Sequence, residues 1–537
     1  MDYYTLAKEG AYLAEAIKGA SVAKVYQGER GITLRLRHSP APFLNFFLDP
    51  EYSSFFLSRE PLFEDHGHFA GLLERHLKGA RLKAIHHPKG DRVFYFDFVH
   101  VDFVGKTRSF SLIFEVLGRH SNMVFCQENR ILDAWSGYSP GRLYLPPQSP
   151  RGIYLGDAER DRVLEVIALK GIDGLAEEFY PVPRFLLRRL KDLCGELSPQ
   201  GLVRFWEAFE GLRGELFSPY LWLVEGRPYP FAVDGARKVE VDDGLKEAVL
   251  GYIRLKALEE TRRRLKKVVS ARIKRLRSLM ERLRRELEEA ADYERFRLWG
   301  ETIYINMNRI TPNQELLVVE NPYRPDEVLE IPIKGNNPSA TAQEYFSIYS
   351  RLKSKREKVE KRIEEVASEL SFLEDLLWQI EEARDGDVLS DIEDVLVEQG
   401  YIIKRGRKRL RGQRPSYLEL DIDGYKVLVG RNSRANDYVT FRLAGREDLW
   451  LHVKNYPGAH VVVKGRDIPA DVVEKAASVA AYFSRAKEAS KVEVDYTKVK
   501  NVHRGKPPRP GFVWYKDYST IVVTPKSPEE VADVEKG

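Results

Sequence analysis

Apolar residues recur in alternating steps of three and four in two long segments of the chain. The first segment carries seven such positions: Val269, Ile273, Leu276, Met280, Leu283, Leu287 and Ala290. The second continues the spacing, with one arginine among the apolar residues: Tyr345, Tyr349, Leu352, Arg356, Val359, Ile363, Val366, Leu370, Leu373, Leu377 and Ile380. This alternation is typical of a coiled-coil seam, so it predicts two long helices.

Because both helices lie in one chain, we expect them to pair with each other as an antiparallel arm. A helix over about 245–298 would reach roughly 80 Å at 1.5 Å per residue. The intervening residues include strand-like segments at Thr302–Asn306 and Glu315–Glu320, which predict a small β-containing tip. A parallel coiled coil between two chains is the alternative, and the intramolecular partner disfavours it.

The segments on either side of the arm have mixed patterns. An opening helix with Leu6, Leu13 and Ile17 precedes strand-like runs at Val22–Arg37, Phe43–Leu57, Val93–Val104 and Ser109–Phe125. Residues 155–240 look helical, and the sequence after Gly386 alternates strands with one clear helix, Ala470–Lys487. We therefore predict an α+β multidomain protein with domains at 1–150, 151–243, 244–385 (tip at 299–337) and 386–537.

Positive charge is concentrated in blocks, although the formal net charge is only +5. Residues 262–285 contain twelve Lys or Arg and one acid, Glu281, and seven of the eleven residues in 404–414 are basic. Separated basic blocks fit contact with a polyanion at several places. A solvated charged face is an equally good interpretation of each block considered alone.

Several classes of protein are excluded by what the sequence lacks. Two cysteines in 537 residues argue against a disulfide framework and a cysteine-ligated zinc site. No segment reaches the roughly 20 apolar residues of a membrane span, and the first residues do not resemble a secretory leader. We expect a cytoplasmic protein with no membrane contact and no cofactor.

No catalytic motif and no metal site are predicted. Gly105-Lys106-Thr107 resembles the end of a phosphate loop, but His100 stands where the earlier glycine is required. The histidines at 66, 68, 86 and 87 lack the helical spacing of a metal pair. A Gly-x-x-Gly at Gly171–Gly174, between two helical patterns, could be a phosphate-binding helix-hairpin-helix turn or, more simply, a plain turn. We therefore expect a protein that is not an enzyme.

Two dense polar clusters remain as candidate RNA contacts. In the first, Gly90-Asp91-Arg92 precedes one strand, and a second strand ends in a run containing Glu115, Arg119 and His120. An arginine fork and an aspartate acceptor can read a base and a phosphate. A turn whose acid and base satisfy their own backbone is the alternative.

The second cluster falls within about thirty residues of the C-terminal domain: Arg431, Asn432, Asn436, Asp437, Trp450, His452 and His460. Aromatic, amide and arginine side chains together suit RNA contact by stacking and hydrogen bonding. A packed polar core of a small domain explains the same residues equally well.

The order of these motifs resembles the NFACT family over nearly the whole chain. The matching segments are Gly90-Asp91-Arg92, Glu115 to Asn122, Asn337 to Phe346, Val429 to Asp437, Val494 to Thr497 and Pro510 to Tyr515. The resemblance implies a glycosylase-like N-terminal domain, a helix-hairpin-helix domain, a coiled-coil arm and an RNA-binding domain. It also identifies Asp91 and Arg92 as the family's tRNA-contacting pair, with Glu115, Arg119 and His120 beside them.

The family's role is ribosome-associated quality control. The resemblance therefore implies binding to a large ribosomal subunit with a stalled peptidyl-tRNA, recruitment of alanine tRNA, and untemplated C-terminal tailing of the nascent chain. The small RNA-binding protein RqcP would be an accompanying partner. A surface adhesin that binds fibronectin is the alternative from an older family label. A DNA lyase would need an N-terminal proline, and Asp2 stands at that position.

Overall fold

The computed structural model describes residues 1–101, 105–148, 151–194, 199–334, 337–403 and 414–531. The chain folds as two compact units, Met1–Lys256 and Ala257–Gly537. The second unit contains most of the predicted arm and the C-terminal domain. Of the basic block 404–414, residues 404–413 lie outside the described residues, so the expectation for that block stays a prediction.

A nine-stranded antiparallel sheet forms the centre of the first unit. Its strands are Ser21–Gly28, Gly31–Arg37, Phe43–Phe47, Ser54–Ser58, Arg81–His86, Val93–Val101, Thr107–Glu115, Asn122–Gln127 and Arg130–Ala134. The first four strands run in reverse order from one edge to the centre, and the fifth to ninth follow in chain order. Three of the four predicted strand runs are in fact hairpins, because tight turns divide them.

Two helices, Tyr3–Ala16 and His68–Leu77, pack with one face of this sheet in an apolar core. Leu6, Leu13 and Ile17 are fully buried there, as the spacing of the opening helix predicts. Interlocking phenylalanine rings from four strands fill the centre of the same core. This dense packing makes the sheet a rigid support for its end loops.

The rest of the first unit is partly helical. Its helices are Arg160–Lys170, Leu175–Glu178, Arg184–Cys194 and Pro199–Leu216. A parallel pair, Ile153–Tyr154 and Phe179–Tyr180, and a three-stranded sheet, Tyr220–Val224, Arg227–Tyr229 and Arg237–Glu240, accompany them. The sequence analysis did not anticipate these strands.

The predicted helix-hairpin-helix turn lacks a helix that could bind a phosphate at its start. Gly171 has a φ of +69°, and the helix after the turn, Leu175–Glu178, has only four residues. Within the turn, Asp173 pairs with Lys191 at 2.7 Å. The plain-turn interpretation fits this geometry.

The arm begins with the helix Val241–Glu289, which starts in the first unit and ends in the second. The helix Tyr293–Ile305 follows, then a hairpin of strands Leu316–Asn321 and Arg324–Pro332, and the long helix Pro338–Glu382 returns. The predicted strand at Thr302–Asn306 is wrong, because residues up to Ile305 are helical and Thr302 and Ile303 pack inside the tip.

Ion pairs across the arm establish its antiparallel direction. Lys266 pairs with Glu381, Arg272 with Glu369, and Lys355 with Glu289. Partner numbers fall as the first helix advances, which is possible only when the two helices run in opposite directions. Most of the predicted seam residues, from Val269 to Leu287 and from Val359 to Ile380, form one apolar cluster between the helices, whereas Tyr345 packs in the tip.

The C-terminal domain is a six-stranded sheet covered by helices. After the helix Gly386–Glu398, its strands are Tyr417–Ile422, Tyr425–Gly430, Leu449–Val453, Val461–Val463, Val492–Lys498 and Ser519–Val523. The helices Ser433–Tyr438, Ala470–Tyr482 and Pro528–Val531 and a hairpin of Val502–Arg504 and Val513–Tyr515 complete it. The predicted helix Ala470–Lys487 is therefore shorter than expected.

Candidate nucleic-acid interface

Asp91 and Arg92 follow a tight turn at one end of the nine-stranded sheet. Gly90 has a φ of +76°, and a Cβ atom there would lie 2.4 Å from the Tyr180 ring, so the turn requires glycine. The Asp91 N–H donates to the Pro88 carbonyl at 3.1 Å. Asp91 is only 7% exposed, whereas Arg92 is half-buried. Arg92 is therefore the more accessible member of the pair.

Strand pairing brings the second motif to the same end of the sheet. Val93 lies opposite Glu115, and the Val116 N–H donates to the Arg92 carbonyl at 2.9 Å. Two motifs separated by more than twenty residues of sequence thus meet where two neighbouring strands begin and end. The structure therefore places the two motifs of the predicted cluster at the same end of the sheet.

Glu115 lies beneath this surface rather than on it. Glu115 is only 2% exposed. Its Oε1 atom accepts hydrogen bonds from the Tyr138 and Tyr144 hydroxyls at 2.9 and 2.8 Å. Burial raises the pKa of Glu115, the two hydroxyls lower it in part, and the charge of Asp91 raises it again. Its position suits support of Asp91 and the turn, not direct contact with RNA.

The loop after Glu115 presents Arg119 and His120 to solvent. A 3₁₀ turn spans Gly118–His120, and both of its long side chains are exposed. The Arg119 Nε–H donates to His120 Nε2 at 3.2 Å. Ser121 donates to the Gly118 carbonyl at 2.7 Å, which fixes the turn from within. These two side chains and the half-buried arginine of the first motif form the accessible cationic part of the site.

The predicted cluster in the C-terminal domain is largely internal. Four of its seven residues are almost completely buried: Asn432 at 1% exposed, Asn436 at 4%, Trp450 at 0% and His460 at 1%. Stacking of an RNA base on Trp450 or His460 would need ring surface that this fold covers. The packed polar core, which the sequence left open as an alternative, describes these four residues.

The motif at 430–437 connects the C-terminal domain to the helices that precede it. Asn432 accepts from the Ala435 N–H at 2.8 Å, capping a short helix, and donates to Asp391 at 3.2 Å. Arg431 donates to Asp385 at 2.9 Å. Both acids lie at the helix Gly386–Glu398 or directly before it. Arg431 and Asn432 are therefore engaged within the protein.

Three aromatic residues of the cluster pack against one another. The Trp450 ring lies parallel to His452 at 5.7 Å and perpendicular to His460 at 5.1 Å. His460 Nδ1 is 2.8 Å from the Thr440 hydroxyl. Burial lowers the pKa of His452 to about 4 and the pKa of His460 well below its ordinary value, so both rings are neutral at pH 7. Asp437 forms an ion pair with Arg504, at 2.9 Å for one of its two contacts.

Sequence reasoning missed the partners of this motif. Gln379 exchanges hydrogen bonds with Ser433, and Arg434 forms an ion pair with Asp394 at 2.9 Å. Each partner lies 40 or more residues away in sequence. No local pattern could have joined them, because the contact exists only after the arm has folded back.

Comparison with known proteins identifies the family. Residues 2–414 match the NFACT N-terminal and middle domains, and residues 416–517 match the NFACT protein RNA binding domain. The chain belongs to the NFACT family. The two matches together span both compact units of the fold.

Curated relatives of this NFACT chain include two proteins named Rqc2 homolog RqcH. The one from Bacillus subtilis (strain 168) is 28% identical over 486 residues, covering 85% of each chain. The one from Streptococcus pneumoniae (strain ATCC BAA-255 / R6) is 27% identical over 491 residues, covering 87% of this chain and 86% of the relative. The solved C-terminal part of the fibronectin/fibrinogen-binding protein from Streptococcus suis aligns with 28% identity and a TM-score of 0.42, covering 51% of this chain and 99% of that one.

The NFACT RNA-binding domain has an exposed aromatic surface that the sequence analysis did not single out. Trp514 is 50% exposed and packs on His503 at 4.3 Å between ring centroids. Lys506 and Lys516, near the two ends of the same hairpin, are exposed. An exposed tryptophan between lysines has the composition of a base-stacking site. The alternation along Val513–Tyr515 was the available signal, since it turns Trp514 outward.

Two sets of four basic residues on the arm of the NFACT chain differ in their ion pairing. Four of them form ion pairs with acids that follow in the chain: Arg264 with Glu393, Lys266 with Glu381, Arg272 with Glu369 and Arg277 with Glu374. This first set, the paired set, stabilises the arm itself. Its charge is locally neutralised.

The second set consists of Arg263, Lys267, Lys274 and Arg285, which are exposed and form no ion pair within the part of the chain that the structure describes. At 3.6 residues per turn they fall within about 40° of one another, on the side of the helix away from the seam. Glu281 is the one acid of the 262–285 block, and it lies on this face. We call these four residues the unpaired stripe.

Neither a membrane-spanning helix nor a metal-binding cluster is found among the described residues. Among the described residues, no helix is both long and apolar enough to cross a membrane. Within the same ranges, no group of three or more His, Cys, Asp or Glu side chains is arranged to hold a metal ion.

Proposed function

We propose that this chain is a ribosome-associated quality control factor that binds the large ribosomal subunit holding a stalled peptidyl-tRNA. In this proposal it recruits a tRNA and promotes untemplated C-terminal tailing of the nascent chain. The observation that carries the proposal is similarity along 85% of the chain to a protein named Rqc2 homolog RqcH, together with the NFACT RNA-binding domain.

The tRNA site in this proposal is the accessible end of the nine-stranded sheet. Arg92, Arg119 and His120 would contact the tRNA, since they lie at the same end of the sheet and none of them is buried. Asp91 and Glu115 would act from below, because both are buried. Arginine forks suit phosphate and guanine, and histidine suits stacking. Preference for alanine tRNA is carried over from the family resemblance.

Docking on the large subunit would be distributed over the second unit. The unpaired stripe of the arm and the Trp514 hairpin offer charge and stacking that suit ribosomal RNA. Docking of this kind leaves room for an accessory protein such as RqcP on the same subunit. The chain itself would perform no bond-making step, since the ribosome transfers the peptide.

The proposal is tested by the double variant Asp91→Ala/Arg92→Ala. We expect stalled nascent chains from cells that carry it to lack C-terminal tails in mass spectra, because the turn and its arginine no longer hold the tRNA. The protein should still sediment with large subunits. The matched control is Glu128→Ala/Arg130→Ala, which removes one acid and one base from the turn at the opposite end of the sheet.

Melting temperature separates a binding role from a structural one. If Asp91 and Arg92 only hold the turn, the double variant should melt at a lower temperature and lose tailing and subunit binding together. A stable, subunit-bound double variant that tails at the wild-type rate would remove the pair from the mechanism. Failure of the wild-type protein to promote tailing would overturn the proposal as a whole.

A further inference from the structure

A cavity of about 470 Å³ lies inside the second unit, between the arm helix Pro338–Glu382 and the RNA-binding domain. Six of the twenty residues that line it are aromatic: Phe372, His452, Tyr456, His460, Phe512 and Tyr515. Sites for small ligands typically have volumes of about 300–1,000 Å³ and combine rings with a few polar groups. The cavity therefore has the size of a site for one nucleotide.

Most polar groups in the wall are already used by the protein. Asn436 donates to the Gly458 carbonyl and accepts from the His460 N–H. Gln379 is engaged with Ser433. The two histidine rings are neutral at pH 7, as described above. The wall therefore offers a ligand uncharged ring surface beside a few polar groups.

Asp375 is the exception. Its carboxylate lines the cavity, and none of the described residues donates a hydrogen bond to it. Burial, and after it the charge of Glu374, raise the pKa of Asp375 to about 7, while the positive charge of Arg485 lowers it. Asp375 is half-buried, so its carboxylate keeps some contact with solvent. A ligand in the cavity would supply donors in place of that solvent.

Two neighbouring groups complete the arrangement. Arg485 is exposed and lines the same cavity, without an ion pair in the described structure. Glu374 also lines the cavity, but it is paired with Arg277 at 2.7 Å. The cavity thus combines one acceptor carboxylate inside, aromatic walls, and one cation at its edge.

We propose that this cavity binds a guanine base, which donates its N1–H and N2–H to the Asp375 carboxylate and stacks on the accessible rings of Tyr456 and Phe512. The phosphate attached to the same nucleoside would lie near Arg485. This inference deepens the RNA binding of the proposed function and rests on it. The guanine could belong to an RNA strand or to a free nucleotide, because the recognised edge is the same.

The choice of base follows from the pattern of donors. A carboxylate has two acceptor oxygens side by side, and guanine presents two adjacent N–H donors on its Watson–Crick edge. Adenine and cytosine present an amino donor beside an acceptor, and uracil presents one N–H between two carbonyl groups. Only guanine satisfies both oxygens of Asp375 without leaving an acceptor facing it.

The test measures binding of GMP, AMP, CMP and UMP to the full-length protein by calorimetry at pH 8, where Asp375 is ionised. We expect GMP to bind at least tenfold more tightly than the other three. Asp375→Asn should lose at least tenfold in GMP affinity and gain affinity for xanthosine monophosphate, because the new amide N–H can donate to the 2-oxo group. This gain shows that the variant is folded. Glu374→Gln is the matched control and should keep the GMP preference.

A second experiment distinguishes the two sources of guanine. Short single-stranded RNAs with one central guanine, or with inosine, which lacks the N2 amine, are compared for binding to the same protein. Tighter binding of the guanine RNA supports the inference with RNA as the source. Binding of GMP with no such difference between the RNAs supports it with a free nucleotide as the source.

Equal affinity for all four mononucleotides and for both RNAs would overturn the inference, as would unchanged GMP binding by Asp375→Asn. These failures are distinguishable from failure of the proposed function. A wild-type protein that sediments with large subunits but shows no guanine preference contradicts the cavity assignment alone. A wild-type protein absent from every ribosomal fraction contradicts the proposed function.

Discussion

At the residue scale, the same residue types serve two different purposes in this protein. Arg119 and His120 reach solvent from a short turn, whereas Asn432 and His460 form hydrogen bonds inside a domain. Sequence alone cannot separate these cases, because a polar residue is informative only once its burial is known. The exposed residues of the RNA-binding domain are therefore better candidates for RNA contact than the buried residues of the predicted cluster, such as Asn432 and His460.

Trp514 provides the most direct check of this view. Trp514→Ala should weaken binding of single-stranded RNA by about tenfold, since base stacking contributes roughly 1–3 kcal/mol per base. Fluorescence anisotropy with a short labelled RNA measures the effect. Val522→Ala, at a residue 55% exposed on another strand of the domain, is the control. Equal affinity of the Trp514 variant and wild type would mean that this hairpin does not touch RNA.

The buried histidines make the stability of the second unit depend on pH. The pKa of His452 is near 4 in the folded chain, below its ordinary value of 6.5, so protonation favours unfolding. The stability that neutral, buried His452 contributes to the folded chain is fully present above about pH 6.5 and is lost as the pH falls toward 4.

We predict that the free energy of unfolding falls less for His452→Gln than for wild type when the pH is lowered from 7 to 4.5. The difference between the two losses should be about 2 kcal/mol. Urea unfolding at the two pH values measures the difference. His503→Gln, at a half-buried surface position, should behave like wild type. A parallel loss in the His452 variant and the wild type would show that His452 is not held neutral.

At the element scale, the sequence predicted best where the pattern was long. The heptad spacing located both arm helices, because a seam repeated over many turns has no other consistent structure. Short patterns were less reliable. Thr302–Asn306 has strand-like composition, but the tip buries Thr302 and Ile303 against the returning helix. Tertiary packing overrides local propensity in such short segments.

The hairpins of the first sheet illustrate another limit. The run from Val22 to Arg37 looked continuous, yet Gly28 and Gly31 pair across a turn. The candidate site depended on a similar detail, since the pairing of Val93 with Glu115 brings its two motifs together. Sequence order placed both motifs beside strands. Only the register of the strands shows that they share one end of the sheet.

The two sets of basic residues on the arm allow a comparison at equal charge. We predict that changing the unpaired stripe (Arg263, Lys267, Lys274 and Arg285) to alanine lowers the slope of log affinity against log salt by about 3, since each phosphate contact contributes roughly 0.7–0.9. Binding to isolated large subunits at several salt concentrations measures the slope.

The control changes the paired set (Arg264, Lys266, Arg272 and Arg277) to alanine and removes the same number of positive charges. Its slope should stay close to that of wild type, because those charges already face acids. If both variants lower the slope equally, net charge rather than the unpaired stripe governs docking. If neither does, the arm does not contact RNA.

At the scale of the whole molecule, the chain divides its proposed tasks between two compact units. The first presents a small, directional site at one end of a rigid sheet, and the second joins the arm to the RNA-binding domain. Arg509, only 9% exposed, donates to the Ser368 carbonyl at 2.8 Å, so the returning helix and the domain fold together. Distributed docking and a few directional tRNA contacts should therefore be separable by mutation.

The most direct measurement is the RNA content of complexes purified with this protein from cells in which ribosomes stall. The account predicts large subunits with tRNA, enriched in alanine tRNA, for wild type. It predicts large subunits without the recruited tRNA for Asp91→Ala/Arg92→Ala. Purified wild-type protein that carries no large subunits, or a double variant that carries the same tRNA as wild type, would contradict it.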